Sequence, residues 1–160
     1  MKKISLIILL LLACTYFSFS QSESNALGLR FGMGHNVGTE ISFQRFIGDA
    51  NRLELDLGWR FSGSDETGDY LTFTGIYQFV FDLNGSFYAY AGPGAAVAFS
   101  SNNPEGSSGD VILYGAGQVG IEYNFDFPIQ VGLDIRPLIT ILPNLGDFYW
   151  DLALSFRFRF

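Results

Sequence analysis

The last thirteen residues of the chain, FYWDLALSFRFRF, alternate strictly between large apolar side chains and small or polar ones. Every even-numbered position from Phe148 to Phe160 is large and apolar, whereas Asp151 and Arg159 occupy odd-numbered positions, with Tyr149 as an amphipathic exception. Successive side chains point to opposite faces only in a β-strand, so this segment has one apolar and one charged face. A strand of a soluble sheet usually has about five or six residues, whereas a tilted strand that crosses a bilayer needs about 9–11. The C-terminal segment is therefore predicted to form a strand long enough to cross a membrane.

The same alternation recurs in seven further segments. The clearest is RLELDLGWRF, in which Leu53, Leu55 and Leu57 alternate with Glu54 and Asp56. The others are NALGLRFGMG, GTEISFQRF, YLTFTGIYQFVF, FYAYAGPGAAVAF, VILYGAGQVGIEY and IQVGLDIRP. The segment FYAYAGPGAAVAF is ambiguous, because small residues occupy both of its faces. Eight alternating segments predict an all-β chain.

The connections between these segments alternate in length, except for the first, GHNVG, which breaks the alternation. IGDAN, DLNGS and NFDFP are tight and rich in Gly, Asn, Asp or Pro, whereas SGSDETGD, SNNPEGSSGD and LITILPNLGD are longer. Short turns at one end and long loops at the other are typical of outer-membrane barrels, whose long loops face the outside of the cell. We therefore expect an eight-stranded antiparallel up-and-down transmembrane β-barrel, with its N- and C-termini in the periplasm.

The N-terminal stretch MKKISLIILLLLACTYFSFSQS has the features of a secretory signal peptide. Two lysines precede an apolar run at 4–13, which is too short to span a membrane as a helix, and small residues precede a predicted cleavage site after Ser20. We therefore assign 1–20 to the signal peptide and 21–160 to one outer-membrane β-barrel domain. Because LLAC is a loose lipobox, lipidation of Cys14 is the alternative.

Charge and cysteine content limit the partners of the mature chain. Without the two lysines of the signal peptide, seven arginines stand against sixteen acidic residues, a net charge of −9. This charge argues against nucleic acid or anionic lipid headgroups as electrostatic partners. Cys14 is the single cysteine, so the mature chain has no thiol or disulfide chemistry. No motif predicts a cofactor or a metal ion, and we expect neither.

A barrel in a membrane turns its apolar face to lipid and its polar face to the lumen. On this assignment six arginines and six acidic residues face inward, although the whole chain is strongly acidic. Buried charges need partners. We therefore predict a network of arginine–carboxylate pairs that fills the lumen, with Glu122 and Arg157 as a coupled pair. The members of this predicted network are Arg30, Glu40, Arg52, Glu54, Asp56, Arg60, Glu122, Asp134, Arg136, Asp151, Arg157 and Arg159.

Large aromatic residues fall near both ends of the predicted strands. Trp59 and Trp150 lie toward the predicted extracellular ends, and Phe79, Phe81 and Tyr123 toward the periplasmic ends. Aromatic rings favour the interface between a membrane and water. These positions therefore predict an aromatic girdle at each interface.

Together, the N-terminal signal, the eight alternating segments and the terminal SFRFRF resemble the small outer-membrane β-barrel proteins of the OmpA/OmpX type. The resemblance covers the whole mature chain and rests on pattern rather than on a catalytic motif. In that family an aromatic C-terminal strand ending in Phe is read by the barrel-assembly machinery, which implies this role for Phe156, Phe158 and Phe160. We accordingly expect outer-membrane lipid and the assembly machinery as partners, a monomer, and no enzymatic activity.

The sequence favours a structural or surface-interaction role, exerted through acidic extracellular loops. A conduit for small or hydrophobic solutes, of the OmpW type, is the main alternative, because the Gly- and Ala-rich fifth and sixth strands could leave room in the lumen. A further hypothesis is a soluble β-barrel that binds a ligand. Solubility of the protein without detergent would support it.

An outer-leaflet lipid-modifying enzyme is a minor alternative. His35, the single histidine, lies in the first predicted loop, and some eight-stranded barrels of the family act on lipid A with a loop histidine. Asp65, Glu66 and Asp69 could supply a partner acid for that histidine. They could also bind a divalent cation, although their spacing matches no Ca²⁺ loop.

Overall fold

The computed structural model describes residues 24–33, 37–60, 70–100, 111–143 and 145–160. These residues form eight strands, which are β1 (Asn25–Met33), β2 (Val37–Phe46), β3 (Asn51–Arg60), β4 (Tyr70–Asp82), β5 (Phe87–Ser100), β6 (Val111–Asn124), β7 (Ile129–Leu142) and β8 (Phe148–Arg159). Each strand pairs antiparallel with the next, and β8 pairs with β1, so the sheet is a closed barrel. The predicted all-β, up-and-down barrel of eight strands is confirmed.

The predicted signal peptide, with Cys14, lies outside the described residues, as do His35 and the loop acids Asp65, Glu66 and Asp69. In the part of the chain that the structure describes, no helix is long and apolar enough to cross a membrane.

The seam between β1 and β8 closes the barrel. Leu29 lies opposite Phe156 across the seam, and Asn25 and Phe160 exchange two backbone hydrogen bonds of 3.1 and 2.9 Å. The ring of Phe156 also meets that of Phe31 edge-on, with 6.5 Å between the centroids. Closure removes the strand edges, whose N–H and C=O groups would otherwise lack partners in hydrocarbon.

The two ends of the barrel differ in their connections. One end, which we call the short-turn end, holds the start of β1, the end of β8 and three turns of four residues, at 47–50, 83–86 and 125–128. The opposite end, which we call the long-loop end, holds the connections at 34–36, 61–69, 101–110 and 143–147.

The turn between β4 and β5 is determined by its own residues. Gly85 has a φ of 80°, a conformation that is unstrained only without a Cβ. Its N–H donates to the Asp82 carboxylate at 2.6 Å, and the N–H of Phe87 donates to the side-chain oxygen of Asn84 at 3.0 Å. The Asp, Asn and Gly of DLNGS therefore satisfy the turn locally and set the register of the hairpin.

Strand β7 extends farther than the sequence indicates. The sequence predicts a long loop over LITILPNLGD, which is wrong, because β7 continues to Leu142 and the connection is only 143–147. The alternation persists in this stretch, with Ile139 and Ile141 exposed and Thr140 buried. Pro137 has no backbone N–H, so the strand lacks one hydrogen-bond donor there, but the strand does not end at this residue.

Side chains of opposite polarity occupy the two faces of the sheet. Along β3, Leu57 and Trp59 are exposed on the outside, whereas Arg52, Glu54 and Asp56 are buried inside. Exposed large apolar residues line the outside of all eight strands. The barrel therefore has a polar interior and an apolar exterior, the reverse of a soluble protein.

Two apolar side chains fill space that glycines leave in the lumen. Tyr90, on β5, is 1% exposed, and a Cβ added to Gly120 on β6 would collide with its ring. Ile76, on β4, is completely buried, and a Cβ on Gly94 would meet its side chain. At these positions the small residues of β5 and β6 accommodate neighbouring side chains, and the space they leave is occupied.

Candidate functional site: the charged interior of the barrel

Charged side chains fill the middle of the lumen. Arg60 is a residue whose side chain lies outside the described part of the structure, and Arg159 lies at the rim. The other ten predicted network residues are at most 3% exposed, namely Arg30, Glu40, Arg52, Glu54, Asp56, Glu122, Asp134, Arg136, Asp151 and Arg157. All ten lie in the inward phase of their strands, which is why the barrel brings them together.

Arg30, on β1, is surrounded by three carboxylates. Its Nη1 donates to Glu40 and to Asp151 at 2.9 Å each, and its Nη2 donates to Asp134 at 2.7 Å. Its Nε lies 3.2 Å from both oxygens of Asp134, so the guanidinium holds that carboxylate with two nitrogens. Glu40, Asp134 and Asp151 lie on β2, β7 and β8, so this cluster joins four consecutive strands.

Arg136 reaches from β7 to the opposite wall. Its Nη2 donates to Glu54 at 2.9 Å and to Asp56 at 2.6 Å, both on β3. Its Nη1 donates to Glu40 at 3.3 Å. Strands β3 and β7 are four strands apart in a ring of eight. These bonds therefore cross the lumen from one wall to the opposite wall.

Glu54 is the central acceptor of the interior. The guanidinium groups of Arg136 and Arg157 donate to it at 2.9 and 3.0 Å. Three glutamine amides also donate to it at 2.6 to 3.0 Å, those of Gln44, Gln78 and Gln118. A completely buried carboxylate is stable only if such partners replace its lost water. The five donors come from five strands, so the Glu54 side chain connects most of the strands of the barrel wall.

Arg52 and Glu122 form a separate pair nearer the short-turn end. The two terminal nitrogens of Arg52 donate to the two Glu122 oxygens, each at 2.8 Å, in the bidentate geometry that favours Arg over Lys. The Arg52 Nε donates to Gln78 at 2.7 Å. Its guanidinium carbon also lies 5.4 and 5.2 Å from the ring centroids of Phe46 and Tyr90, within cation–π range.

Glu122 and Arg157, predicted as a coupled pair, bind different partners directly, and the energetic coupling between them stays a prediction. Glu122 is paired with Arg52, whereas Arg157 donates to Glu54 at 3.0 Å, to Ser42 at 3.0 Å and to Ser155 at 2.7 Å. The reason is geometric. Strand phase places all of these groups inside, but the stagger of neighbouring strands decides which acid lies within reach of which guanidinium.

Arg159, another predicted member of the network, lies outside the buried part of the interior. Its side chain is half-buried at the short-turn rim, where it donates to the backbone oxygens of Phe125 at 2.8 Å and Phe127 at 3.4 Å. The residue follows Arg157 in the inward phase, but it lies at the end of β8, beyond the packed interior. At the rim it binds the β6–β7 turn.

Neutral polar side chains complete the network, and the charge pattern alone misses them. Gln44, Gln78 and Gln118 are at most 1% exposed, and Gln78 also donates to Gln118 at 2.7 Å. They share the inward phase of the charged residues, which is the sequence signal that identifies them. Among the described side chains, four buried guanidinium groups stand against six buried carboxylates, so these amide donors supply bonds that arginines do not.

The described interior offers little to a metal ion. In the described ranges no group of three or more His, Cys, Asp or Glu side chains is placed to hold one. The carboxylates are instead bound by guanidinium and amide groups. The chemistry of the described interior is therefore internal pairing between carboxylates and their guanidinium and amide donors.

The residues of the predicted aromatic girdle lie on the outside of the barrel. Trp59 and Trp150 are exposed near the long-loop end, and Phe79 and Phe81 are exposed near the short-turn end. Tyr123 is half-buried and lies between two further rings, with centroids 4.7 Å from those of Phe87 and Phe125.

Two of the three C-terminal phenylalanines, Phe156 and Phe158, lie on the outer face of β8, and Phe160 directly follows the strand. Phe156 and Phe158 are each 46% exposed, and Phe160 is half-buried. The rings of Phe158 and Phe160 stack with their centroids 6.5 Å apart. The strand thus presents a row of rings on one side and the arginines on the other.

A scan of protein-family models found no match, and neither did a search of curated proteins. The fold is similar to several solved structures. The N-terminal β-barrel domain of Pseudomonas aeruginosa OprF matches with a TM-score of 0.71 and 16% identity, over 87% of this chain and 98% of that one. Neisserial surface protein A, NspA, matches with a TM-score of 0.62 and 13% identity, over 85% and 94%.

A structure described as a de novo designed transmembrane β-barrel also matches, with a TM-score of 0.52 and 10% identity, over 88% of this chain and 98% of that one. At such low identities these likenesses establish the fold. The chain has the eight-stranded closed barrel of small outer-membrane proteins.

Proposed function

We propose that this protein is an integral outer-membrane β-barrel with a structural or surface-interaction role. Three features support this: a closed sheet, a belt of exposed apolar residues on all eight strands, and a fold shared with small outer-membrane barrels. A sheet with an apolar exterior and fully paired backbone is stable in lipid. The orientation that follows has both termini in the periplasm and the longer, acidic loops outside the cell.

One observation favours a structural role over a role as a conduit. The bonds of Arg136 to Glu54 and Asp56 cross the lumen from wall to wall, and Arg30 closes a second cluster beside them. A solute would have to break several buried ion pairs in order to pass. We therefore infer that the barrel wall is a rigid platform for the external loops.

Refolding is the first test of the membrane barrel. The mature chain should fold in detergent or lipid vesicles into a compact form that migrates faster on a gel before boiling than after it. Solubility of the folded chain without detergent would contradict the proposal and favour a soluble binding protein.

Conductance separates the platform from the conduit. In planar bilayers the wild-type protein should give single-channel conductance close to zero. A steady open-pore current from the wild type would contradict the closed lumen and favour the passage of small solutes.

We further propose that Phe160 and its neighbours Phe156 and Phe158 are recognised by the barrel-assembly machinery. The exposed ring row of β8 supports this, because its rings are accessible at a strand end. Deleting Phe160 should lower the amount of protein in the outer membrane of cells more than it lowers refolding yield in pure detergent. Equal losses in both would mean that Phe160 acts only through packing.

A further inference from the structure

A single charged side chain interrupts the apolar exterior. Among the outward-facing strand residues whose side chains the structure describes, Arg45 on β2 is the only one with a charge. It is exposed, next to the last residue of its strand, at the short-turn end. No hydrogen bond or ion pair joins Arg45 to any described residue. With respect to the described residues, the guanidinium of this exterior arginine is therefore available to an external partner.

On the β1 side Arg45 has a polar neighbour, whereas other strands present aromatic rings at this end. Arg45 lies opposite Asn25 on β1 and opposite Leu53 on β3. Asn51, which begins β3 on the same outer face, lies opposite Phe79 of β4. At this end β4 and β8 instead present exposed rings, such as Phe81 and Phe158. The aromatic girdle of the short-turn end thus has a polar gap at β1 and β2, where Asn25 and Arg45 lie opposite each other.

The depth of the gap indicates its partner. In the proposed membrane orientation, on which this inference rests, the aromatic residues of the short-turn end mark the headgroup level of the inner leaflet. Arg45 lies at that level, and its long stem lets the guanidinium reach toward the headgroups. The anion that occurs there is the phosphate of a glycerophospholipid, which accepts two parallel hydrogen bonds from a guanidinium.

We propose that Arg45, beside Asn25, is a binding site for the phosphate of an anionic glycerophospholipid of the inner leaflet. The acidic net charge of the chain disfavours long-range attraction of anionic lipid. The contact is therefore short-range and confined to this gap, because charges farther away than about 8 Å are screened at physiological salt.

Lipid retention tests the site. Wild type, Arg45→Gln, Arg45→Lys and Thr39→Gln would be refolded into vesicles of equal phosphatidylglycerol and phosphatidylcholine, released into mild detergent and weighed intact by native mass spectrometry. Thr39 is the matched control, because it is exposed on the same face of β2 toward the opposite end. Gel mobility before and after boiling would confirm that all four proteins are folded.

Wild type should retain phosphatidylglycerol in preference to phosphatidylcholine. The occupancy should fall about five-fold in Arg45→Gln, stay closer to wild type in Arg45→Lys, and be unchanged in Thr39→Gln. Equal retention by wild type and Arg45→Gln would overturn the site while leaving the membrane barrel intact. Failure of all four proteins to enter vesicles would instead contradict the membrane function, and the site with it.

Discussion

The inner and outer walls of this barrel are built by the same strands but are stabilised in different ways. On the outside of β3, Leu55 packs beside Gly75, and an added Cβ there would meet the leucine at an ordinary 3.6 Å. On the inside of the same strand, Glu54 is held by five donors from five strands. The outer wall is a set of local contacts that lipid can replace. The inner wall is one connected network.

This difference predicts how each wall responds to substitution. A connected network loses several bonds when one member is removed, and the unpaired groups remain buried. An outer-wall residue loses only its own contacts, and the cost depends on how well its replacement suits lipid. The four substitutions below test this contrast. In each, equilibrium urea unfolding in lipid vesicles, followed by tryptophan fluorescence, gives the free energy of unfolding.

The largest loss should come from Glu54→Ala. It leaves the guanidinium groups of Arg136 and Arg157 and three glutamine amides without their shared acceptor. We expect a loss of about 3–5 kcal/mol. The control is Thr72→Val, which removes a lumen hydroxyl that donates to the backbone oxygen of Gly58 at 3.3 Å, and should cost about 1 kcal/mol. Equal losses for the two would mean that the interior is not a connected network.

Leu55→Arg should cause the next largest loss of unfolding free energy. It places a charge on the lipid face near the middle of β3, where the expected cost is about 2–4 kcal/mol. Leu55→Met keeps the face apolar and should cost less than about 1.5 kcal/mol. If Arg is tolerated as well as Met at this position, the outer wall does not face lipid.

Gly120→Ala should have an intermediate effect, because a Cβ at this position collides with the ring of Tyr90. Overpacking of this kind costs about 1–3 kcal/mol. The matched control on the outer wall is Gly75→Ala, whose Cβ finds only ordinary contact with Leu55 and should change stability by less than about 1 kcal/mol. Reversal of this order would show that Tyr90 moves freely in the lumen.

The smallest effect should come from Tyr90→Phe. The Tyr90 hydroxyl is buried and has no hydrogen-bond partner among the described residues, so its removal releases an unsatisfied polar group rather than a bond. The change in unfolding free energy should lie within about 1 kcal/mol of zero or be stabilising. A loss well above that value would reveal a partner for the hydroxyl, such as a bound water.

Strand phase explains how much of this molecule could be predicted from the sequence. The direction of a side chain in a strand depends only on its odd or even position. Local alternation therefore predicts that Leu53 and Leu57 point outward and that Glu54 and Asp56 point inward. It also predicts the number of strands. The same rule places Gln78 and Gln118 inside, although the charge pattern gives them no role.

Only the tertiary structure decided which inward groups meet. Arg52 pairs with Glu122, and Arg157 with Glu54, because partners three strands apart are chosen by the stagger of the sheet and the width of the lumen. Neither quantity is visible in an alternation of period two. Arg159 shows the same limit along the strand axis, since its phase points inward but its position at the end of β8 takes it to the β6–β7 turn. Local sequence thus determines the face of each residue, whereas closure of the barrel determines its partner.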